Sequence, residues 1–337
     1  ALPISKTNKN KQRKNMNNLK KIGLTALAGS LVVTSAFAGE LTATGSASMG
    51  VSNITGTADA STGKDFSMAN SVYLNGSTEL DNGMTVSMYF ELDAGVDTGT
   101  GTGPFDNHSV TVSSDTLGTL TLSGHGGSSA QSAMDTTAAG DLWNNTLGVN
   151  GEAGPTNSAG NNSLFYTLPT MVDDLAITTS LTPGGANVAN ASTHMAYGVS
   201  YTGVEGLTLK YGTGDSGAQA AEVDSSSMSA SYAIGSLTVS VSRTDVDYTA
   251  ATDEKWDSYQ VAYTVSEDIS LTYGSETFDK DASAVDEEVT GLGVSYTTGG
   301  MTISGSMINA EGGANVATAD TDKWSLTAAF AFRSEER

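Results

Sequence analysis

The sequence of 337 residues has no cysteine, only five prolines, and 15 Lys and Arg against 37 Asp and Glu. Without cysteine, a disulfide framework and a thiolate metal site are both excluded. The shortage of Lys and Arg makes nucleic acid an implausible partner, because phosphate binding depends on these side chains. Beyond the first forty residues, no apolar run approaches the roughly 20 residues that a membrane-spanning helix needs. If this chain crosses a bilayer, it must do so with strands.

The N-terminal part of the chain has the three regions of a secretory signal peptide. Residues 16–38 contain a basic start, an apolar stretch from Ile22 to Val33 and a small-residue cleavage motif that ends at Ala38. We predict that this segment is removed and that residues 1–15 are an upstream extension outside the fold. A membrane anchor helix is the less favoured alternative, because the apolar stretch is short and no stop-transfer charges follow it.

Without this leader, the chain is strongly acidic. Residues 39–332 contain six Lys and Arg and 35 Asp and Glu, a formal net charge of −29. Cations are therefore the expected counterparts of the mature chain.

The rest of the chain has the spacing of β-strands. Runs of about 7 to 12 residues place an apolar or aromatic side chain at every second position. An even number of strands is typical of bacterial single-chain membrane barrels, and a barrel of about sixteen strands leaves an aqueous lumen. The sixteen runs begin near residues 40, 66, 84, 109, 119, 163, 174, 195, 207, 227, 237, 257, 269, 289, 301 and 324.

The connections between these runs alternate between short turns and long, acidic segments. The connections 212–226, 244–256, 274–288 and 308–323 together contain sixteen acids. Short turns on one side and long loops on the other are typical of outer-membrane barrels. The sequence therefore predicts an all-β transmembrane antiparallel barrel.

The last run carries aromatic and apolar residues at alternate positions from Trp324 through Phe330 to Phe332. Together with the leader, the strand count and the hairpin 118–124, it resembles the Gram-negative general porins. The resemblance implies a homotrimer in the outer membrane that lets small polar or cationic solutes diffuse passively, without enzyme activity or a cofactor. It also implies that the barrel-assembly machinery reads Phe332, with Trp324 and Phe330 in an aromatic girdle. The charged tail 333–337 lies outside the family pattern.

The resemblance further implies that the third external loop, here 124–162, folds inward and narrows the pore. The usual basic cluster on the facing wall is missing, and His125 stands where family members often have an arginine. Carboxylates in a narrow channel attract cations, so we predict cation preference, with weak selectivity and merely solvated carboxylates as the alternative. Lys210 either lines the lumen or pairs with an acid. The candidate constriction residues are Asp135, Asp141, Glu152, Glu79, Glu91, Lys210 and His125.

The acidic segment near residue 280 is a weak candidate for loosely bound Ca²⁺, through Asp279, Asp281, Asp286 and Glu287. Carboxylate oxygens suit calcium, but no calcium-binding motif is present, so a solvated surface loop is favoured. The acidic surface also suggests bridging to lipopolysaccharide through divalent ions. The main alternative to a porin is a secreted, acidic, calcium-stabilised β-rich adhesin or surface-layer protein. Such a protein would have to cover the apolar strand faces with a second layer.

Overall fold

The computed structural model describes residues 40–56, 62–93, 105–134, 138–139, 161–184, 193–215, 223–249 and 251–333. The barrel described below lies within residues 40–333.

Sixteen strands form one closed sheet in which each strand lies next to its neighbours in sequence. The last strand pairs antiparallel with the first and closes the barrel. Each strand begins within four residues of a predicted start, which confirms the predicted strand count and fold class. The strands are β1 (Glu40–Gly56), β2 (Gly63–Glu79), β3 (Thr85–Asp93), β4 (Asn107–Ser114), β5 (Gly118–His125), β6 (Ser163–Thr167), β7 (Leu175–Thr182), β8 (His194–Val204), β9 (Leu207–Asp215), β10 (Val223–Ile234), β11 (Leu237–Tyr248), β12 (Glu254–Thr264), β13 (Ile269–Lys280), β14 (Glu287–Thr298), β15 (Met301–Glu311) and β16 (Thr321–Arg333). Strand β16 thus continues to Arg333, one residue into the segment that the sequence assigned to a tail.

Alternation along each strand gives the barrel an apolar outer face and a polar inner face. On β9, Leu209 and Tyr211 are exposed on the outer face. Lys210 and Gly212 alternate with them, and Gly212 lies against a chain segment inside the barrel. Among the described residues no second layer covers the outer face, so the architecture does not fit the soluble adhesin or surface-layer alternative.

The short turns lie at one end of the barrel, and most of them contain a residue with a positive backbone φ angle. Gly206 follows β8 with a φ of +75°, and a Cβ there would lie 2.3 Å from the Ala233 carbonyl oxygen. Glycine is the residue that adopts this conformation at least cost. The other end of the barrel carries the long connections, including the one between β5 and β6.

Helical structure in the described ranges is limited to two three-residue 3₁₀ turns, Ser132–Met134 and Gly313–Asn315. No helix within those ranges is long and apolar enough to cross a membrane.

A small hydrophobic core lies on the inner wall near the long-loop end. Trp256 packs on Phe278 with a ring-centroid distance of 4.7 Å. Both side chains are buried together with Val246, Val289 and Ala310. This cluster fills part of the barrel interior on β11 to β15, so the open passage must lie elsewhere.

Candidate channel and its inserted segment

The chain turns into the barrel after β5 and packs on the inner wall. We call residues 126–139 the inserted segment, of which 126–134 and 138–139 are described. Ser129, Ala130 and Gln131 have no solvent-exposed surface. The predicted inward-folding loop therefore starts as expected, with its first part seated against the wall.

Hydroxyl groups on the inner wall hold the inserted segment at its beginning. The Ala130 amide donates to Ser180 Oγ on β7 at 2.9 Å. Ser225 Oγ donates to Gln131 Oε1 at 2.8 Å, and Gln131 Nε2 donates to Ser227 Oγ at 3.2 Å. The oxygen and the nitrogen of the Gln131 side-chain amide thus both have hydrogen-bond partners, on two successive inward-facing residues of β10.

A second attachment lies one strand pair further round the wall. The Ala138 amide approaches Ser258 Oγ of β12 at 2.7 Å and Ser242 Oγ of β11 at 3.0 Å. These two hydroxyls also bond to each other at 2.6 Å. Inward-facing serines of β7 and β10 to β12 therefore provide hydrogen-bond partners for the inserted segment. Its backbone amides need such partners because the segment is not paired in the sheet.

Glycines on the same wall make room for this contact. A Cβ at Gly198 of β8 would lie 2.6 Å from the Ala130 carbonyl oxygen, and one at Gly212 would lie 3.0 Å from Gln131 Cα. On β13, a Cβ at Gly274 would lie 3.0 Å from Ala139 Cβ. The backbone of the inserted segment can approach the wall this closely only because these positions have no side chain.

A different wall of the barrel, formed by β2 to β4, carries aromatic and acidic side chains on its inner face. Tyr73 and Tyr89 stack with a centroid distance of 6.1 Å and an interplanar angle of 22°. Glu91 lies directly across from Tyr73 in the strand register. Its Oε2 accepts from Tyr89 Oη at 3.2 Å and from Asn107 Nδ2 at 2.5 Å.

The predicted constriction residues on the strands are placed as follows. By alternation Glu79, Glu91 and Lys210 lie on the inner face, and Lys210 has no ion-pair partner among the described residues. Asp135, Asp141 and Glu152 lie outside the described residues. The other inward-facing charges that alternation assigns to the strands are Asp65, Asp93, Glu254, Glu276 and Glu287 and the bases Lys280 and Lys323.

His125 does not face the lumen. The register of β4 and β5 shifts next to His108, so that Gly124 is an extra residue and His125 pairs with His108. His108 shares the outer face with Phe90, and their rings lie 6.5 Å apart. The bulge reverses the alternation that the sequence pattern implied, because two residues on one strand then oppose one on the other. The register therefore places His125 on the outer face and not at the constriction.

The candidate calcium ligands do not lie on one face. Asp279 points outward and pairs with Lys255 at 3.2 Å. Glu287 is buried on the inner face, where its Oε1 accepts from the Asn315 amide at 3.1 Å. Asp281 and Asp286 lie in the connection between them. Within the described ranges, no group of three or more His, Asp or Glu side chains is placed to hold a metal ion.

Aromatic residues border the apolar outer face on β8 to β16. Outward carboxylates lie beyond them, toward the long loops. On β16, Trp324 precedes Leu326, Phe330 and Phe332 on this face, as alternation in the register with β1 requires. The outward tyrosines are Tyr197, Tyr201, Tyr211, Tyr232, Tyr259, Tyr263, Tyr273 and Tyr296. The outward acids are Asp215, Asp224, Asp245, Asp247, Asp257, Asp279, Glu288, Glu311 and Asp322.

A comparison of the sequence with protein-family models identifies the family of this chain. The model of the Gram-negative porin family matches residues 23–334, nearly the whole chain. The chain belongs to the Gram-negative porin family. A closed barrel with an apolar outer surface places this porin in the outer membrane, and the family consists of channels rather than enzymes. No curated protein matches the sequence.

Solved porin structures share the fold at low sequence identity. A porin refined at 1.8 Å is 19% identical with a TM-score of 0.62, over 87% of this chain and 100% of that chain. The anion-selective porin of Comamonas acidovorans is 14% identical with a TM-score of 0.63, over 87% and 99%. The trimer form of OmpT from Vibrio cholerae is 12% identical with a TM-score of 0.63, over 88% and 100%. The barrel is thus common to porins, whereas ion preference must come from side chains.

Proposed function

We propose that this porin passively conducts small polar solutes and ions and prefers cations. The observation that carries the proposal is the charge of the inner face. Carboxylates outnumber ammonium groups there, and one of the few lysines, Lys280, lies 2.6 Å from Glu254. Fixed charges in a narrow aqueous passage concentrate ions of opposite sign.

The wall with Glu79 and Glu91 supports this preference most directly. The inner face of β1 to β5 has no Lys or Arg among its described residues, since Lys64 alternates with inward Asp65 and points outward. The sequence adds Asp135, Asp141 and Glu152 on the loop that follows β5. A solved porin that is described as anion-selective has the same fold, so the sign of the preference depends on these side chains.

The reversal potential of the purified porin in planar bilayers under a salt gradient tests this proposal. We expect a cation-favouring reversal potential that falls toward zero in the variant Glu79→Gln/Glu91→Gln. The matched control is Glu288→Gln, because Glu288 points outward. A reversal potential that favours anions would refute the preference and keep the pore, whereas the absence of conductance from folded protein would refute both.

Export and assembly follow from the two ends of the porin chain. We propose that residues 16–38 are cleaved as a signal peptide and that residues 1–15 and 334–337 take no part in transport. The barrel-assembly machinery is expected to recognise the aromatic end of β16 at Phe332. Trp324 and Phe330 have the outward orientation that a girdle at the membrane interface requires.

Two kinds of partner fit the two sides of the outer surface. The outward acids on β9 to β16 suit lipopolysaccharide, with divalent ions bridging carboxylate and phosphate groups. The face of β1 to β5 has no outward Tyr, Trp or acid in the part of the chain that the structure describes. We propose that this face contacts other copies in a homotrimer, as the trimer form of one solved relative suggests. We also propose that transport needs no cofactor.

A further inference from the structure

The inner face of β2 to β4 carries a group of side chains that diffusion alone does not explain. We call Tyr73, Asn75, Tyr89, Glu91 and Asn107 the tyrosine patch. Its members are neighbours in the strand register: Tyr73 lies across from Glu91, Asn75 from Tyr89, and Glu91 from Asn107. The two rings stack, and both are only half-buried, so they remain accessible from the lumen.

The Glu91 carboxylate of the tyrosine patch is held in position by hydrogen bonds and has no cationic partner among the described residues. Tyr89 Oη and Asn107 Nδ2 both donate to Glu91 Oε2. Glu91 Oε1 has no hydrogen-bond partner among the described residues, and none of the ion pairs there includes Glu91. A fixed, charged acceptor therefore lies beside two aromatic rings and faces the water-filled passage.

Aromatic faces next to a carboxylate match one class of solute. Ring faces attract ammonium and guanidinium groups through the ring quadrupole, and a neighbouring carboxylate adds Coulomb attraction. Small inorganic cations stay hydrated and gain little from ring faces, whereas an organic cation also buries its apolar carbons on them. We propose that the tyrosine patch is a binding subsite for small organic cations on their way through the channel. This inference rests on the proposed cation-conducting function and names its solute class.

Current block in planar bilayers tests the subsite with a matched pair of probes. Choline carries a quaternary ammonium group, and 3,3-dimethyl-1-butanol is its neutral analogue of the same shape. We expect choline to reduce the sodium current saturably, with a half-blocking concentration at least tenfold below that of the neutral analogue.

Variants assign the block to the tyrosine patch. Tyr73→Leu/Tyr89→Leu should raise the half-blocking concentration of choline about fivefold. Glu91→Gln should raise it by a similar or larger factor, whereas Tyr89→Phe keeps the ring face and should change it less than twofold. The control is Tyr259→Leu/Tyr273→Leu, which removes a similar ring pair, 6.4 Å apart, from the outer face and should have no effect. The sodium conductance of each variant reports that its barrel has formed.

The outcomes separate the two proposals. A folded porin without cation preference would overturn the proposed function. If the porin prefers cations but choline and its neutral analogue block the current equally, the proposed subsite would be wrong and the proposed function would stand. The same conclusion would follow if glucose blocked the current and choline did not, because the patch would then serve neutral solutes.

Discussion

At the scale of single residues, Gln131 connects the inserted segment to the barrel wall. Its side chain is fully buried, and its amide group exchanges hydrogen bonds with Ser225 and Ser227. Thr244 in turn donates to Ser227 at 3.0 Å, so the glutamine belongs to a network that spans two strands. Buried polar groups that lose their partners keep the full cost of desolvation.

We predict that Gln131→Ala lowers the free energy of unfolding by about 1–3 kcal/mol, because it leaves buried hydroxyls with fewer partners. It should also increase the noise of the open-channel current, since the inserted segment loses an attachment to β10. Gln260→Ala is the matched control, because Gln260 is on the inner wall and has no side-chain hydrogen bond among the described residues. Thermal unfolding in detergent and single-channel recordings measure both effects. Equal losses in the two variants would contradict this role of Gln131.

The fate of individual residues also shows where sequence reasoning is weak. Alternation predicts that Glu79 and Glu91 face inward, because each is out of phase with an outward apolar series. The series is Val72, Leu74 and Leu80 around β2, and Phe90 and Leu92 on β3. It misplaces His125, because the bulge at Gly124 adds one residue to β5 only. The glycine is the one available signal for this bulge, and glycine is too common in this chain to identify it.

At the scale of elements, the inserted segment and the wall of β7 to β13 form one packed unit. Serine hydroxyls bind the backbone of the segment, and three glycines let it approach. Gly198 is the tightest of these contacts, with Ala130 and Met134 both within 3 Å of the position of a Cβ. The wall therefore determines how far the inserted segment reaches into the lumen.

We predict that Gly198→Ala lowers the single-channel conductance, because the added methyl group pushes the inserted segment away from the wall and into the passage. Gly305→Ala is the control. Gly305 also lies within a strand, but a Cβ there would find its nearest neighbour at 3.5 Å, an ordinary contact. Conductance in planar bilayers at one salt concentration compares the two variants. An unchanged or higher conductance in Gly198→Ala would mean that the segment does not rest on this wall.

The sixteen strands could be predicted from the sequence because each one obeys the two-residue period over most of its length. Their order in the sheet followed, since short turns force neighbouring strands to pair. The seat of the inserted segment could not be predicted in this way. It depends on serines and glycines of β7 to β13 that look like ordinary lumen residues until the segment is placed on them.

At the scale of the whole molecule, the outer surface has two unlike sides. On β9 to β16, the apolar face ends in aromatic residues and then in carboxylates, which suits a boundary between lipid and water. On β2, apolar residues continue as far as Phe66 and Met68, which are 85% and 77% exposed. These two residues lie more than ten positions from the short turn at Asp81, where other strands have already become acidic. An apolar surface at that level is covered most favourably by protein.

The trimer contact proposed for β1 to β5 can be tested through Phe66. We predict that Phe66→Lys converts the trimer into monomers, because contact between copies would bury the lysine without a partner. Met228→Lys is the control, since Met228 is 49% exposed on β10, eight strands away from β2, and a lysine there can extend to the interface. Sedimentation in detergent gives the oligomeric state, and heat-modified mobility on gels reports that each barrel is folded. If both variants stayed trimeric, Phe66 would face lipid headgroups, and the contact between copies would have to lie on another part of the outer surface.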